Sequence, residues 1–265
     1  MKVAVVGLGK MGEALVKGFS GLKDLSIVAT VRNEEKATEL SASLGIKVVT
    51  DNRAACKNAE IIILAVKPYQ VENVLSELRG QIAQNQVLVS IAASITTTQL
   101  IEFSGSKGPI IRAMPNTPAI IREGMTVFSP APGVSDVTLK KVQALFETVG
   151  KTAVVDESLL DGVTGLSGCG PAYVFLMIEA LSEAGVKVGL RREVATLLAA
   201  QTLLGASKMV LERGVHPAAL KDEVTTPAGC TIDGLMALEE GKLRVTLIKA
   251  VLAATKRSEK LRIKT

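Results

Sequence analysis

The sequence has no tryptophan, two tyrosines and five phenylalanines among 265 residues, so aromatics make up only 3%. So thin an aromatic supply argues against stacking platforms for single-stranded nucleic acid. The three cysteines, Cys56, Cys169 and Cys230, lie far apart and form no C-x-x-C pair or Cys/His ligand spacing. A disulfide framework and a zinc site are therefore not expected, nor is any other bound metal. The sole histidine, His216, directly precedes Pro217 and reads as a helix cap. No uninterrupted apolar run reaches the roughly 18 residues of a membrane span; the best central run, Ala172–Ile178, stops at Glu179. Met1 to Gly7 lead straight into a glycine turn, which leaves no space for a signal peptide. A reducing, cytoplasmic setting is expected, with neither nucleic acid nor membrane as partner.

What the chain does have is apolar residues, 48% against 22% charged, enough for a packed core. Its net charge of +5 suits an anionic small ligand. The densest basic stretch, Lys256–Lys264, is interrupted by Glu259 and reads as a solvated helix end. The chain has two textures. Up to residue 155, Val- and Ile-rich runs (Val3–Val6, Ser26–Val31, Lys47–Val49, Ile61–Val66, Val87–Ile91, Pro109–Met114) alternate with helical periodicity. Met125–Phe128 and Thr152–Val155 follow as shorter candidates around a helical stretch, Val137–Val149. This alternation predicts an α/β fold with a doubly wound parallel sheet. Residues 156–265 read as helices only: Leu159–Gly185, Arg191–Gly214, Pro217–Val224 and Ile232–Arg262. Val194–Met209 is apolar or small almost all round, so it must be buried. A second copy of the chain is the expected cover, a monomer interior the alternative.

The first chemistry lies in Gly7-Leu8-Gly9-Lys10-Met11-Gly12, a G-x-G-x-x-G string after the first strand and opening the first helix. In that context it is the dinucleotide fingerprint of a Rossmann-type domain. Gly7 permits the turn, Gly9 lets backbone approach a pyrophosphate, and Gly12 lets helix and strand pack closely. After the second strand, where an acid would mark NAD(H), stands Arg32. A guanidinium there favours the 2′-phosphate of NADP(H), with NAD(H) the alternative because Glu34 and Glu35 follow. Ala65-Val66-Lys67-Pro68, then Ala92 and Ala93, then Asn116 between two prolines all fall at carboxyl ends of strands, where such folds bind ligands. Lys67 also suits a solvated strand-end lysine.

No His–Asp pair offers a proton acceptor for a carbinol, and Leu159–Ala184 contains no lysine. An imine needs less, because once protonated its carbon takes hydride without strong acid catalysis. Small hydroxyls and glycines cluster at Thr164–Tyr173 and Thr225–Thr231. A helix start there offers N–H groups to a carboxylate; both segments also suit plain turns.

GLGKMG at the start, AVKP at 65–68, RAMPNTPA at 112–119, TGLSGCGPAY at 164–173 and LKDEVTTPAGCTIDGL at 220–235 together closely resemble the pyrroline-5-carboxylate reductases, over essentially the whole length. Two departures are Cys169, where the family often has Ser, and Ala228, where it often has Gly. The resemblance implies two domains, a dinucleotide-binding one over 1–155 and an all-α substrate-binding and dimerisation one over 156–265. It implies NAD(P)H-dependent reduction of Δ1-pyrroline-5-carboxylate to L-proline, the last step of proline synthesis. It places the nicotinamide near Lys67 and Pro68, with Asn52 on the cofactor. The substrate carboxylate falls on Gly229-Cys230-Thr231 beside Thr226, the ring nitrogen on the hydroxyl of Thr231, and Glu157 joins the proline pocket. Homodimers through the helical domain, often gathered into decamers, are implied as well. Two other readings stay open: a nucleotide-sensing protein without turnover, and a reductase of a different cyclic imine.

Overall fold

A computed structural model describes residues 1–261 of the chain. Its packing divides it into two compact units, one of Met1–Cys169 with the described residues from Leu252 onward, the other Gly170–Val251.

The first unit is built on one eight-stranded sheet of order β3-β2-β1-β4-β5-β6-β7-β8. Its strands are β1 (Lys2–Val6), β2 (Ser26–Thr30), β3 (Lys47–Val49), β4 (Ile61–Leu64), β5 (Val87–Ser90), β6 (Ile110–Met114), β7 (Gly124–Pro130) and β8 (Gly150–Val154). The helices α1 (Lys10–Phe19), α2 (Glu34–Leu44), α3 (Asn52–Cys56), α4 (Val71–Glu77), α5 (Thr97–Ser104), α6 (Asp136–Phe146) and α7 (Leu160–Val163) complete it. Each of the first six strands read from apolar runs is present: β1 begins one residue earlier, β3 has the expected bounds, and the other four are shorter by one or two residues.

Successive strand side chains point to opposite faces, and both faces here are apolar. Val3, Val5, Ile61, Ile63 and Val89 join one core layer with Leu15 and Phe19 of α1. Ala4, Val6, Ile62, Leu64 and Leu88 join the other with Leu75 and Leu100 of α4 and α5. Continuous Val/Ile runs therefore serve a sheet covered on both sides.

The first unit departs from the all-parallel sheet that the strand–helix alternation predicts. The sheet is not parallel throughout, because β7 pairs antiparallel with β6, and β8 runs parallel to β7. The connection over residues 115–123 is too short for a parallel crossover, which takes a dozen residues or more. Prolines 115 and 118 and a 3-10 turn at Thr117–Ile121 reverse the chain instead.

Glu157–Leu159 forms a 3-10 turn before α7, and Thr164–Gly168 winds as a π-helical turn after it. The second unit then follows as α8 (Gly170–Lys187), α9 (Arg192–Arg213), α10 (Pro217–Glu223), α11 (Cys230–Glu240) and α12 (Leu243–Lys260), the last re-entering the first unit at Leu252. His216 caps α10, its Nδ1 accepting the Ala218 N–H at 3.2 Å. The single helix expected over Ile232–Arg262 is broken: Gly241 ends α11 and Lys242 adopts φ +56°. Lys256, Arg257, Glu259 and Lys260 are exposed at the end of α12; positions 262–264 of the basic stretch lie outside the described residues.

Within this chain α9 buries only Ala195 and Ala199, while Leu197, Leu198, Leu204 and Leu211 are exposed. The helical stretches Glu157–Lys187 and Arg192–Arg213 are long and apolar enough, by length and composition, to cross a membrane. Isolated charges such as Glu179 and Glu183 interrupt the apolar runs, so these helices are apolar on average without holding an unbroken membrane-length run.

Phe146 anchors the first unit's core. It is fully buried and meets Phe19 and Phe128 edge-on, at centroid distances of 5.5 and 5.2 Å. Phe146→Ala should lower the unfolding free energy by about 3–5 kcal/mol, read as a shifted urea midpoint at unchanged slope. A loss under about 1 kcal/mol would show that the ring is not an anchor.

Candidate functional site

The site begins at the β1–α1 turn. Gly7 adopts φ +97°, and a Cβ on it would lie 2.7 Å from the Val66 side chain. A Cβ on Gly12 would fall on the Gly7 carbonyl oxygen. Gly9, the residue before α1, differs: a Cβ there would meet no protein atom within 4 Å. No side chain caps α1, so its first-turn N–H groups are left to solvent or to a ligand.

A chain of hydrogen bonds holds this turn. The Gly7 N–H donates to Thr30 Oγ1 at 3.2 Å, Thr30 Oγ1 donates to Asn52 Oδ1 at 2.7 Å, and Asn52 Nδ2 donates to Glu77 Oε2 at 3.0 Å. Thr30 and Glu77 were not singled out in the sequence, because nothing local marks a residue whose partners come from other strands and helices.

The turn opens on a cleft of about 840 Å³ at the carboxyl ends of β1, β2, β4 and β5. The strand order reverses between β1 and β4, the switch point where doubly wound sheets bind nucleotides. Among the expected residues, Gly7 to Met11, Arg32, Asn52, Ala65 to Pro68, Ala92 and Ala93 line it. Gly12 stands behind the turn. Asn116 does not line the cleft: its Oδ1 accepts the Met125 N–H at 2.8 Å and its Nδ2 donates to the Ser167 carbonyl at 3.2 Å. Its neighbours Pro115 and Thr117 do, so Asn116 ties down a wall it does not form.

The sequence reading missed Lys36. It lines the cleft beside Arg32, brought there because Asn33 caps α2, its Oδ1 accepting the Lys36 N–H at 3.1 Å. The pattern Arg32-Asn33 followed by Lys36 was the available signal. The residues present fit a pyridine nucleotide: open space over Gly9, an uncapped helix start, and two cations at the far rim. Among the described residues no group of three or more His, Cys, Asp or Glu could hold a metal ion.

The other expected residues are distributed between the units. In the first, Glu157 Oε1 accepts the Thr97 N–H at 2.6 Å and Arg112 Nη1 at 2.8 Å. Partial burial pushes this carboxyl up, but the Thr97 N–H and the Arg112 guanidinium outweigh it and hold it below the ordinary carboxylate value. Glu157 is thus a clamp, held by the Thr97 backbone and side chain and by Arg112. Cys56 is buried; burial first, then Glu77 and Asp51, push its thiol up to about 12, so it stays protonated and inert. All three cysteines are free thiols.

In the second unit, the Thr226 carbonyl accepts the Gly229 N–H at 3.1 Å, and α11 begins at Cys230 with no side-chain cap. Thr231 is half-buried in its first turn; Thr226 and Cys230 are exposed. Ala228 adopts φ +57°, a left-handed conformation that favours glycine, so this departure from the family pattern is a backbone effect and not only a small-for-small exchange.

Together the first unit's turn, cleft and strand order define a Rossmann-type dinucleotide-binding fold, continued by a helical unit. Residues 2–94 match the family model "NADP oxidoreductase coenzyme F420-dependent", and residues 157–261 match "Pyrroline-5-carboxylate reductase dimerisation". The chain is 43% identical to a pyrroline-5-carboxylate reductase of Arabidopsis thaliana, over 98% of this chain and 95% of that one. Its fold superimposes on a pyrroline-5-carboxylate reductase of Coxiella burnetii with a TM-score of 0.92 and 34% identity, covering 99% and 98% of the two chains. A pyrroline carboxylate reductase of Plasmodium falciparum with NADP bound gives a TM-score of 0.87 and 32% identity, over 99% and 98%. The chain belongs to the pyrroline-5-carboxylate reductase family.

The clamp at Glu157 makes a pH-dependent prediction. A carboxyl depressed by folding stabilises the fold above its unfolded pKa, and this contribution is lost as pH falls through the folded value. Glu157→Gln should therefore cost about 1–2 kcal/mol near neutral pH. That is less than the loss of a fully buried pair, because the Glu157 side chain is 37% exposed. In acid the wild type and the variant should converge. A gap between their urea midpoints that persists below the carboxylate range would show that the ion pair is not its source.

Proposed function

We propose that this chain reduces Δ1-pyrroline-5-carboxylate to L-proline with NADPH as donor, NADH serving less well, as the last step of proline synthesis. The observation that carries the reading is the open face of Gly9 over an uncapped helix start, with Arg32 and Lys36 at the far rim of the same cleft. A helix N-terminus binds the anionic pyrophosphate, and the two cations suit a 2′-phosphate. A relative holds NADP, which supports the same choice of nucleotide.

When bound, the reduced nicotinamide supplies a hydride to the carbon of the protonated imine, whose C=N bond becomes C–N as the electron pair passes to nitrogen. The protein's share is to bind, orient and desolvate. In this reading residues 1–155 form the dinucleotide-binding domain, and residues 156–265 carry substrate binding and dimerisation. The first-turn N–H groups of α11 hold the substrate carboxylate on Gly229, Cys230 and Thr231 beside Thr226, and the Thr231 hydroxyl orients the ring nitrogen. Its half-buried position in an uncapped first turn supports that role.

A second copy of the chain covers the exposed leucines of α9; the matched dimerisation domain supports a protein partner there in preference to lipid. Sedimentation of the purified protein separates a dimer from a decamer. Free cysteines accord with a reducing, cytoplasmic setting.

NADPH oxidation, followed at the reduced nicotinamide absorbance band on adding the cyclic imine, tests the reading; binding without oxidation of any cyclic imine would leave a nucleotide sensor. Thr231→Val keeps the shape of the side chain and removes the hydroxyl. It should lower kcat/KM for the imine by about one to two orders of magnitude, Thr231→Ser by much less, and both should bind NADPH normally. Equal activity of Thr231→Val and wild type would reduce Thr231 to part of a helix start.

A further inference from the structure

The cleft wall contributed by β5 is the short loop over residues 91–93, and the residue that follows it is in an unusual state. Ser94 is buried with φ +63°, a conformation that residues other than glycine rarely adopt. Such a residue persists where its surroundings over-determine it, and these outliers gather at ligand sites.

The surroundings of Ser94 come from distant parts of the chain. Its Oγ donates to the Ser258 carbonyl at 3.2 Å and lies 3.5 Å from the Ser258 hydroxyl. Ser258 Oγ donates to Asp161 Oδ1 at 2.6 Å. All three residues are 4% exposed. Three residues after Ser94, the Thr97 N–H donates to Glu157 Oε1. Glu157 and Asp161 stand four positions apart at the start of one helical stretch. That stretch therefore grips residues 94–97 at two points, and one grip passes through Ser258, on the part of α12 that has returned to the first unit.

We propose that the returning end of α12 is a positioning element of the cofactor cleft. By bridging Ser94 to Asp161, Ser258 fixes the backbone of Ala92 and Ala93 against which the nucleotide lies. This rests on the reading of the cleft as a nicotinamide nucleotide site. The bridge uses both ends of Ser258, its carbonyl accepting from the left-handed Ser94 directly beside the lining residues and its hydroxyl donating to Asp161.

The test uses the full-length protein and the variants Ser258→Ala and Ser94→Gly. Three readouts are taken: NADPH Kd from reduced nicotinamide fluorescence, amide hydrogen exchange over residues 91–97, and Tm. Ser258→Ala should weaken NADPH binding about three- to tenfold, the size of one ordinary hydrogen bond. It should also speed exchange in that loop and raise the KM for NADPH, with kcat at saturating nucleotide retained. Ser94→Gly removes both the hydroxyl and the strain, so its affinity should fall similarly even where its Tm holds. Should Ser258→Ala fail to fold, Ser94→Gly alone decides. Lower Tm with wild-type Kd and exchange in either folded variant would overturn the role of Ser258. A wild type that binds no NADPH would overturn the reading of the cleft itself.

Discussion

The structure of the first unit depends on one close approach. Helix α1 comes so near the end of β1 that a single methyl at Gly12 would fall on the Gly7 carbonyl. That approach aims the start of α1 across the carboxyl ends of the strands, and Gly7 can make the turn only because it tolerates φ +97°. The hydrogen-bond chain from the Gly7 N–H through Thr30 and Asn52 to Glu77 then locks the turn to β2, α3 and α4. The cleft follows as a consequence: the strand order diverges at β1 and β4, and the uncapped α1 faces the gap.

The division of labour between the two units follows from composition. The first unit has apolar strands buried on both faces and a site built of backbone and a few cations. The second has helices whose leucines stay exposed within one chain, and its one chemically suggestive feature is the start of α11. An imine reductase can be this sparse, because its substrate arrives electrophilic and needs orientation more than acid–base catalysis. The absence of a buried His–Asp pair, which argues against a carbinol substrate, is then no deficiency.

Much of this was legible in the residues because the signals were local. Val/Ile runs place the strands, G-x-G-x-x-G places the turn, Arg32 marks the rim, and His216 before Pro217 marks a cap. What escaped reading was non-local or conformational. The reversal at β7 depends on loop length against crossover length. The break between α11 and α12 depends on Lys242 taking a positive φ, a conformation that lysine does not announce. Asn116 reads as a ligand contact from its proline-flanked loop, yet its amide is bound to Met125 and Ser167. The Ser94–Ser258 pair spans 164 positions, and no spacing rule reaches that far.

Gly9 is open for a ligand while Gly12 is closed for the fold. Comparing Gly9→Ala with Gly12→Ala, each measured for urea stability and for NADPH affinity, tests this contrast most directly. Gly12→Ala should lose stability by several kcal/mol. Gly9→Ala should stay within about 1 kcal/mol of wild type, yet bind NADPH about tenfold or more weakly, since its methyl occupies the space meant for the pyrophosphate. A Gly9→Ala protein that binds NADPH as tightly as wild type would show that the pyrophosphate does not lie over Gly9.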